Sequence, residues 1–564
     1  MLASLAGFLV YIQIASSDAL GERAARQSHM RIPILPTPGN IFDSHLRILA
    51  KSVEAKSVFA DPGVMADPSD VAARIGPLLG MAADDVYRKI TAEPESRFVW
   101  LARRVAPEIA EAVRRLNLEG IGLTTEGVRH YPNGMLAAHV LGFVGADGQG
   151  LEGIELLFNE RLRGRAGESF VRVDRRRRPI WTEPENFIPA EDGQHLVLTI
   201  DATIQAATEE ALAEACTKFH AVDVCAIVMD PTTGSILAMA NVPTFDPNNY
   251  GAYPVAARRN ICITDSFPPG SSCKPYVAVR ALEARVVHFG EVINCQNGYW
   301  AEGRMHDAGH SYGNLTFEEG TAKSSNIMYA MLGMRLGPER LHDGLTRFGF
   351  NRKTGVWLPG EGTGVVFPTS RWTGMLSTTR VAIGQEFSAT PLQMIAAFAS
   401  IANAGKLMRP KIIRGVLDSR GQVVADLSEP EVVGQVCDPT VAKDLINRAL
   451  VKVVEEGTGK AARIPGYRVF GKTGTAQLLD PVTHAVSSEH HAGSFLAGLP
   501  AEKPQVVAIV VVNEPRAGGY YGGTVAAPAA KKILQQAASY LGIPPTETIT
   551  ERSGAQLVVH GITN

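Results

Sequence analysis

The chain has 564 residues, 45% apolar and 20% charged, with a formal net charge of −2. That length points to roughly two to four domains. The balanced charge excludes the global basic field of a nucleic-acid binder. The six cysteines are too sparse for a disulfide framework and include no C-x-x-C pair for zinc or redox chemistry.

Leu2 to Ala15 is mostly apolar, broken by Ser4, Gly7 and Gln13. As a helix it spans about 21 Å, against roughly 30 Å of bilayer core. It also lacks the basic start of a signal peptide. The nearest charges, Glu22, Arg23, Arg26 and Arg31, all follow it, and by the positive-inside rule alone they would keep the remaining chain in the cytoplasm. We expect residues 1–17 to be a membrane anchor whose basic leading residues lie upstream of this start. In-frame upstream codons would test that.

Pro33, Pro36 and Pro38 read as an extended entry into a folded region. From 53 to 116 the pattern is helical and charged, with breaks at Pro62, Pro68 and Pro77. Asp70 to Gly76 and Ala92 to Arg115 read as short surface helices. Arg175 to Arg178 reads as a solvated turn between strands.

A new unit begins near 195. His195-Leu-Val-Leu-Thr-Ile is a strand, and Asp201 caps a helix over 202–216. Residues 226–240 form a hairpin around a Pro/Gly turn. A mainly helical middle follows over 272–460, then strands over 468–477, 494–498 and 505–513, and a last helix over 525–541. Strands at both ends with helices between predict an α+β fold, one antiparallel sheet with helices around it. The polar tail, 546–564, is expected to be loosely held. His490 and His491 are neighbours on a strand and so point to opposite faces, which argues against a metal site.

Three small motifs fall in order: Ser271-Ser-Cys-Lys274, Ser324-Ser-Asn326 and Lys472-Thr-Gly474. S-x-x-K with K-T-G is a signature of class A β-lactamases and penicillin-binding proteins. Pro268-Pro-Gly270 ends an extended segment, and Pro275 is tolerated only in the first turn of a helix. Ser271 therefore stands at a helix mouth, and Lys274, one turn on, can reach its hydroxyl. A serine needs a base to become a nucleophile, and Lys274 serves only if its pKa is lowered.

K-T-G occurs twice. Lys353-Thr-Gly355 leads into Trp357-Leu-Pro-Gly and reads as a turn. Lys472-Thr-Gly474 continues Tyr467-Arg-Val-Phe-Gly and reads as a strand, the edge an acyl substrate needs. Residues 466–473 also match the P-loop pattern. No buried strand precedes them, and Gly474 weakens any helix start, so a nucleotide site is set aside. Ser324 has a bland alternative as the cap of a helix over 326–335. Lys472 has one as an ordinary edge-strand charge. Cys273 is read as a packing residue.

The order and context of these motifs resemble the class B penicillin-binding proteins, most closely the division-type transpeptidases. The matching stretches include Arg129-His-Tyr-Pro, Gly150-Leu-Glu-Gly-Ile-Glu155, Asp230 to Ala240, Pro269 to Pro275, Lys323-Ser-Ser-Asn326, Thr390-Pro-Leu-Gln393, Gly471 to Gln477 and Tyr520-Tyr-Gly-Gly523, spread over about 30 to 545. The resemblance implies a membrane helix, an elongated α+β pedestal over 30–190, and a penicillin-binding transpeptidase domain over 195–545 outside the cytoplasm. It implies that Ser271 attacks the penultimate D-alanine of a stem peptide and Lys274 takes its proton. Ser324 would relay a proton to the leaving amine and Asn326 would bind the substrate amide. Lys472, Thr473 and Thr475, with Gly474 between them, would hold the terminal carboxylate. The N–H groups of Ser271 and Thr475 would form the oxyanion hole.

No cofactor or metal is implied. The implied partners are stem peptides, β-lactams, a membrane glycan polymerase and other cell-wall synthesis proteins. One departure stands out. The family's early Arg-Gly…Asp-Arg element reads Pro38-Gly-Asn-Ile-Phe-Asp43-Ser44 here, without either arginine. That puts in question the charged contacts between pedestal and catalytic domain. Septal cross-linking is the reading taken. The alternatives are an elongation-type transpeptidase, a D,D-carboxypeptidase or β-lactamase on the same fold, and a non-catalytic penicillin-binding scaffold or sensor.

Overall fold

The computed structural model describes residues 29–546 apart from 95, 97, 174–178, 183–186, 308 and 481–485. The expected membrane anchor, the basic run at Arg175 to Arg178 and nearly all of the tail lie outside the described residues. Among those described, no helix is long and apolar enough to cross a membrane.

The first part of the chain is organised by one long strand. After a two-residue strand β1 (Ile41–Phe42), β2 (Ile48–Ala60) runs for 13 residues. Helix α1 (Pro68–Leu79) starts where the Asp67 carboxylate accepts from the Ser69 and Asp70 N–H groups. Strands β3 (Val99–Val105) and β4 (Ile121–His130) then pair antiparallel with the two edges of β2. Val71 and Ile75 of α1 bury against Val58, Val86 and Leu101. Two helical expectations fail here. Residues 53–60 belong to β2, and a strand interrupts 92–115, leaving a helix only over Pro107–Leu116. The aromatic and β-branched run Phe98-Val-Trp favours extended backbone.

β5 (His195–Leu198) runs parallel to β1 and antiparallel to Ile413–Leu417. The strand read as opening the second unit thus closes a sheet that runs into the first. Charged contacts do cross this junction, without the arginines of the expected element. Arg47, four residues after Asp43, pairs with Asp43 at 2.6 Å and with Asp201 at 2.9 Å. Arg414 donates to the Ser44 carbonyl at 2.8 Å. Asp43, His45 and Asp201 lie close together, but the Arg47 guanidinium already balances the two carboxylates. A second seam joins Tyr131 to Asn248 through paired amide bonds of 3.0 Å.

Asp201 caps α2 (Ala202–Phe219), as expected. The hairpin is β6 (Asp223–Met229) and β7 (Ile236–Val242). The middle holds α3 (Lys274–Glu283), α4 (Asn326–Leu336) and α5 (Pro391–Ala402), whose 12 residues are all buried. It is less helical than its sequence reads. Strand pairs at Val292–Asn294 with Asn314–Thr316, and at Lys406–Met408 with Val432–Gln435, are too short to show a period. β8 (Phe470–Leu479), β9 (Val486–Leu499), β10 (Val506–Asn513) and α6 (Ala527–Tyr540) complete the chain.

The five strands form one antiparallel sheet in the order β7–β6–β10–β9–β8. β10 reads as a continuous apolar run because both faces are covered. Val507, Ile509 and Val511 face the core around α3 and α5, and Ala508, Val510 and Val512 face α2 and α6. β8 is left as an edge.

Candidate active site

Ser271 sits in a short turn, Gly270–Cys273, that runs directly into α3. Two glycines let this turn lie on β8. Gly270 has φ +53, and a Cβ there would meet the Thr475 carbonyl. At Gly474 a Cβ would meet Pro269 O and Ser272 Cβ, each at 2.9 Å. The nucleophile turn and the K-T-G strand are therefore in backbone contact.

Ser324 is held differently from its bland reading. Helix α4 is capped by Ser325, whose hydroxyl accepts from Met328 N, and not by Ser324. Ser324 itself has φ +60, a left-handed conformation unusual for serine. Its side chain is free of capping work and receives two amines. Lys274 Nζ lies 3.3 Å from Ser324 Oγ, 2.7 Å from Ser324 O and 2.9 Å from Asn326 Oδ1. Lys472 Nζ lies 2.8 Å from Ser324 Oγ and 3.0 Å from Thr473 O.

Both lysines are 0% exposed. Burial pulls Lys274 down to about 7. Burial first, and the neighbouring Lys274 second, hold Lys472 well below the usual lysine range. An ordinary edge-strand lysine would do neither. Cys273 is fully buried, and burial pushes its thiol up to about 12, so it packs and does not compete as a nucleophile.

Sequence reading missed Asp307. This buried carboxylate accepts from Ser325 Oγ at 3.0 Å, Asn326 N at 2.6 Å and Ile327 N at 3.1 Å. It fixes the turn that carries Ser324 and Asn326. Its negative charge also favours the protonated form of Lys274, against the larger effect of burial. Asp307 follows His306 in an unremarkable loop, and no local pattern marks it.

Ser271, Ser324, Asn326, Thr473, Gly474 and Thr475 all line one cleft of about 790 Å³. The lysines stand behind it. Thr475 Oγ1 accepts from Gly522 N at 3.2 Å. Tyr520 stacks on His491 at 4.0 Å at the rim, while His490 pairs with Glu514 at 2.8 Å. The structure brings together all eight residues singled out by sequence. The decoys fall away. Thr354 bonds Glu361 in a turn, and residues 466–473 enter a strand with no helix after them.

A serine one helical turn from a desolvated amine, facing an open strand edge, is the arrangement of a lysine-dependent serine acyltransferase. Comparison with known proteins makes the class specific. The penicillin-binding protein transpeptidase domain model matches residues 224–535, and the penicillin-binding protein dimerisation domain model matches 33–198. The chain is 33% identical over 560 residues to peptidoglycan D,D-transpeptidase FtsI of Escherichia coli, covering 97% of this chain and 91% of that one. It is 33% identical over 556 residues to stage V sporulation protein D of Bacillus subtilis, covering 96% and 84%. Among solved structures, a peptidoglycan synthetase from Bifidobacterium adolescentis superposes with a TM-score of 0.73 at 26% identity, covering 92% and 98%. Penicillin binding protein 3 from Mycobacterium tuberculosis, complexed with aztreonam, gives 0.70 at 27% identity, covering 92% and 99%. The chain belongs to the class B penicillin-binding proteins, serine-type peptidoglycan D,D-transpeptidases.

Proposed function

We propose that this chain cross-links peptidoglycan stem peptides during septal wall synthesis through an acyl-enzyme on Ser271. The convergence of two buried lysines on Ser324 Oγ, beside the nucleophile turn, carries the reading. Neutral Lys274 takes the Ser271 proton as Oγ attacks the carbonyl of the penultimate D-alanine. The Ser271 and Thr475 N–H groups receive the oxyanion, a term worth about 3 kcal/mol per donor. Ser324, between the two amines, passes a proton to the leaving D-alanine nitrogen. An amine from a neighbouring stem peptide then displaces Ser271.

Asn326 donates one N–H to His306 O at 3.1 Å, which leaves its second for the substrate amide. Lys472 is turned toward Ser324 and buried, so it acts on the terminal carboxylate at one remove. The hydroxyls of Thr473 and Thr475, flanking Gly474, meet that carboxylate directly. A β-lactam, as an acylating mimic of D-Ala-D-Ala, traps Ser271.

We read residues 1–17 as a single-pass plasma-membrane anchor with the catalytic domain outside the cytoplasm. In this reading 30–190 is the pedestal and 195–545 the transpeptidase domain. A membrane glycan polymerase supplies the strands. Incubation with a stem-peptide donor and an amine acceptor tests the reaction class. Release of D-alanine with formation of the cross-linked dimer supports transpeptidation. Release with water as the sole acceptor favours a carboxypeptidase, and no release at all favours a scaffold or sensor.

A further inference from the structure

Thr458 lies outside the three motifs, on the turn after the helix Val451–Glu455. Its hydroxyl is 2.6 Å from that of Thr473, and it lines the cleft. Its N–H donates to Ala322 O at 3.2 Å, two residues before Ser324. Its carbonyl packs against Gly523, where a Cβ would collide. One residue thus touches the approach to the Ser324 turn, the K-T-G strand and the Tyr520-Tyr-Gly-Gly segment.

A threonine hydroxyl has one proton to give and two lone pairs to accept with. Gly522 N–H can only donate, so Thr475 Oγ1 accepts from it and keeps its own proton for a ligand. Thr473 reaches the same state only if its oxygen accepts from Thr458. We propose that Thr458 is a positioning residue whose hydroxyl donates to Thr473 and so aims the Thr473 proton at the terminal carboxylate of the acyl donor. The orientation matters because Lys472 Nζ is engaged by Ser324 and by Thr473 O. The carboxylate then depends on correctly turned hydroxyls. The plain alternative is an exposed loop threonine that bonds Thr473 only because the turn passes there. Three contacts with three separate site elements argue against it. The inference rests on Thr473 and Thr475 being the carboxylate site.

The test compares Thr458→Val, Thr458→Ala and Thr458→Ser in the full chain. The readout is the rate of Ser271 acylation by benzylpenicillin and by its carboxamide, which lacks the anion. Losing a hydrogen bond that orients a donor to a charge should slow the carboxylate reaction roughly tenfold, leave the carboxamide rate unchanged, and be restored by serine. Equal loss with both reagents, or no loss, overturns the positioning role. Thr458→Ala keeps the test usable if valine disturbs the turn. Thr473→Val serves as the control on the underlying reading. If it leaves the ratio of the two rates unchanged, the carboxylate site itself is misassigned, and Thr458 has nothing to orient.

Discussion

Lys472 Nζ stands 2.8 Å from Ser324 Oγ, and Lys274 Nζ approaches the same oxygen from α3 at 3.3 Å. Two ammonium groups sharing one hydroxyl without solvent would repel strongly. Burial opposes the charged form of both amines and lowers the proton affinity of each. Ser324 Oγ is thereby placed between two amines, on a residue with φ +60.

The first consequence is a pH profile. In the proposed mechanism Lys274 acts as the neutral amine, and burial lowers its pKa to about 7. The acylation rate constant should therefore rise about tenfold per pH unit below that value and level off above it. An unperturbed lysine would keep the rise going to about 10.4. Stopped-flow acylation with a chromogenic cephalosporin measures it. Lys274→Arg, which cannot shed its proton, should lose about a thousandfold.

Asp307 should matter through geometry. Asp307→Asn keeps the shape but removes the charge that accepts from three donors. We expect acylation to slow roughly tenfold to a hundredfold, with about 1–2 kcal/mol lost from stability, the scale of a charged helix cap. Urea unfolding alongside acylation kinetics separates the two effects.

That residue also marks where sequence reading stopped. Ser271 and Lys274 were legible because one helical turn fixes their relation, and Lys472-Thr-Gly474 because strand context distinguished it from the copy at Lys353. Asp307, Thr458 and Arg47 were not. Each acts across a gap in sequence through a loop, with no periodicity to betray the partner. Arg47 is instructive. The expected arginines are absent, yet a guanidinium four residues past Asp43 bridges Asp43 and Asp201. The strands at Ile48–Ala60 and Val99–Val105 read as helix because charges interleaved with apolar residues over short windows do not separate a partly buried strand from an amphipathic helix.

Arg47→Met tests the junction. It leaves Asp43 and Asp201, both buried, without the guanidinium that bridges them. Partial exposure of Arg47 limits the loss, so we expect about 2 kcal/mol of destabilisation. Acylation of Ser271 by penicillin should be unchanged. Denaturant unfolding and acylation rates measured together check this.

His139 gives the seam an acid limit. It is buried, bonded to Ala257 O at 2.9 Å, and burial lowers its affinity to about 4 from 6.5. Between those values the unfolded chain holds the extra proton. Stability contributed by neutral His139 is thus complete above about 6.5 and lost as pH falls toward 4, up to about 3 kcal/mol. In His139→Gln the melting temperature should fall less steeply over that window than in the parent chain.

The most direct measurement is intact mass spectrometry after brief exposure to benzylpenicillin, followed by peptide mapping. The account expects one stoichiometric adduct, on the peptide bearing Ser271, absent from Ser271→Ala and much slower to form in Lys274→Arg. An adduct on any other residue, or undiminished labelling of Ser271→Ala, would contradict it.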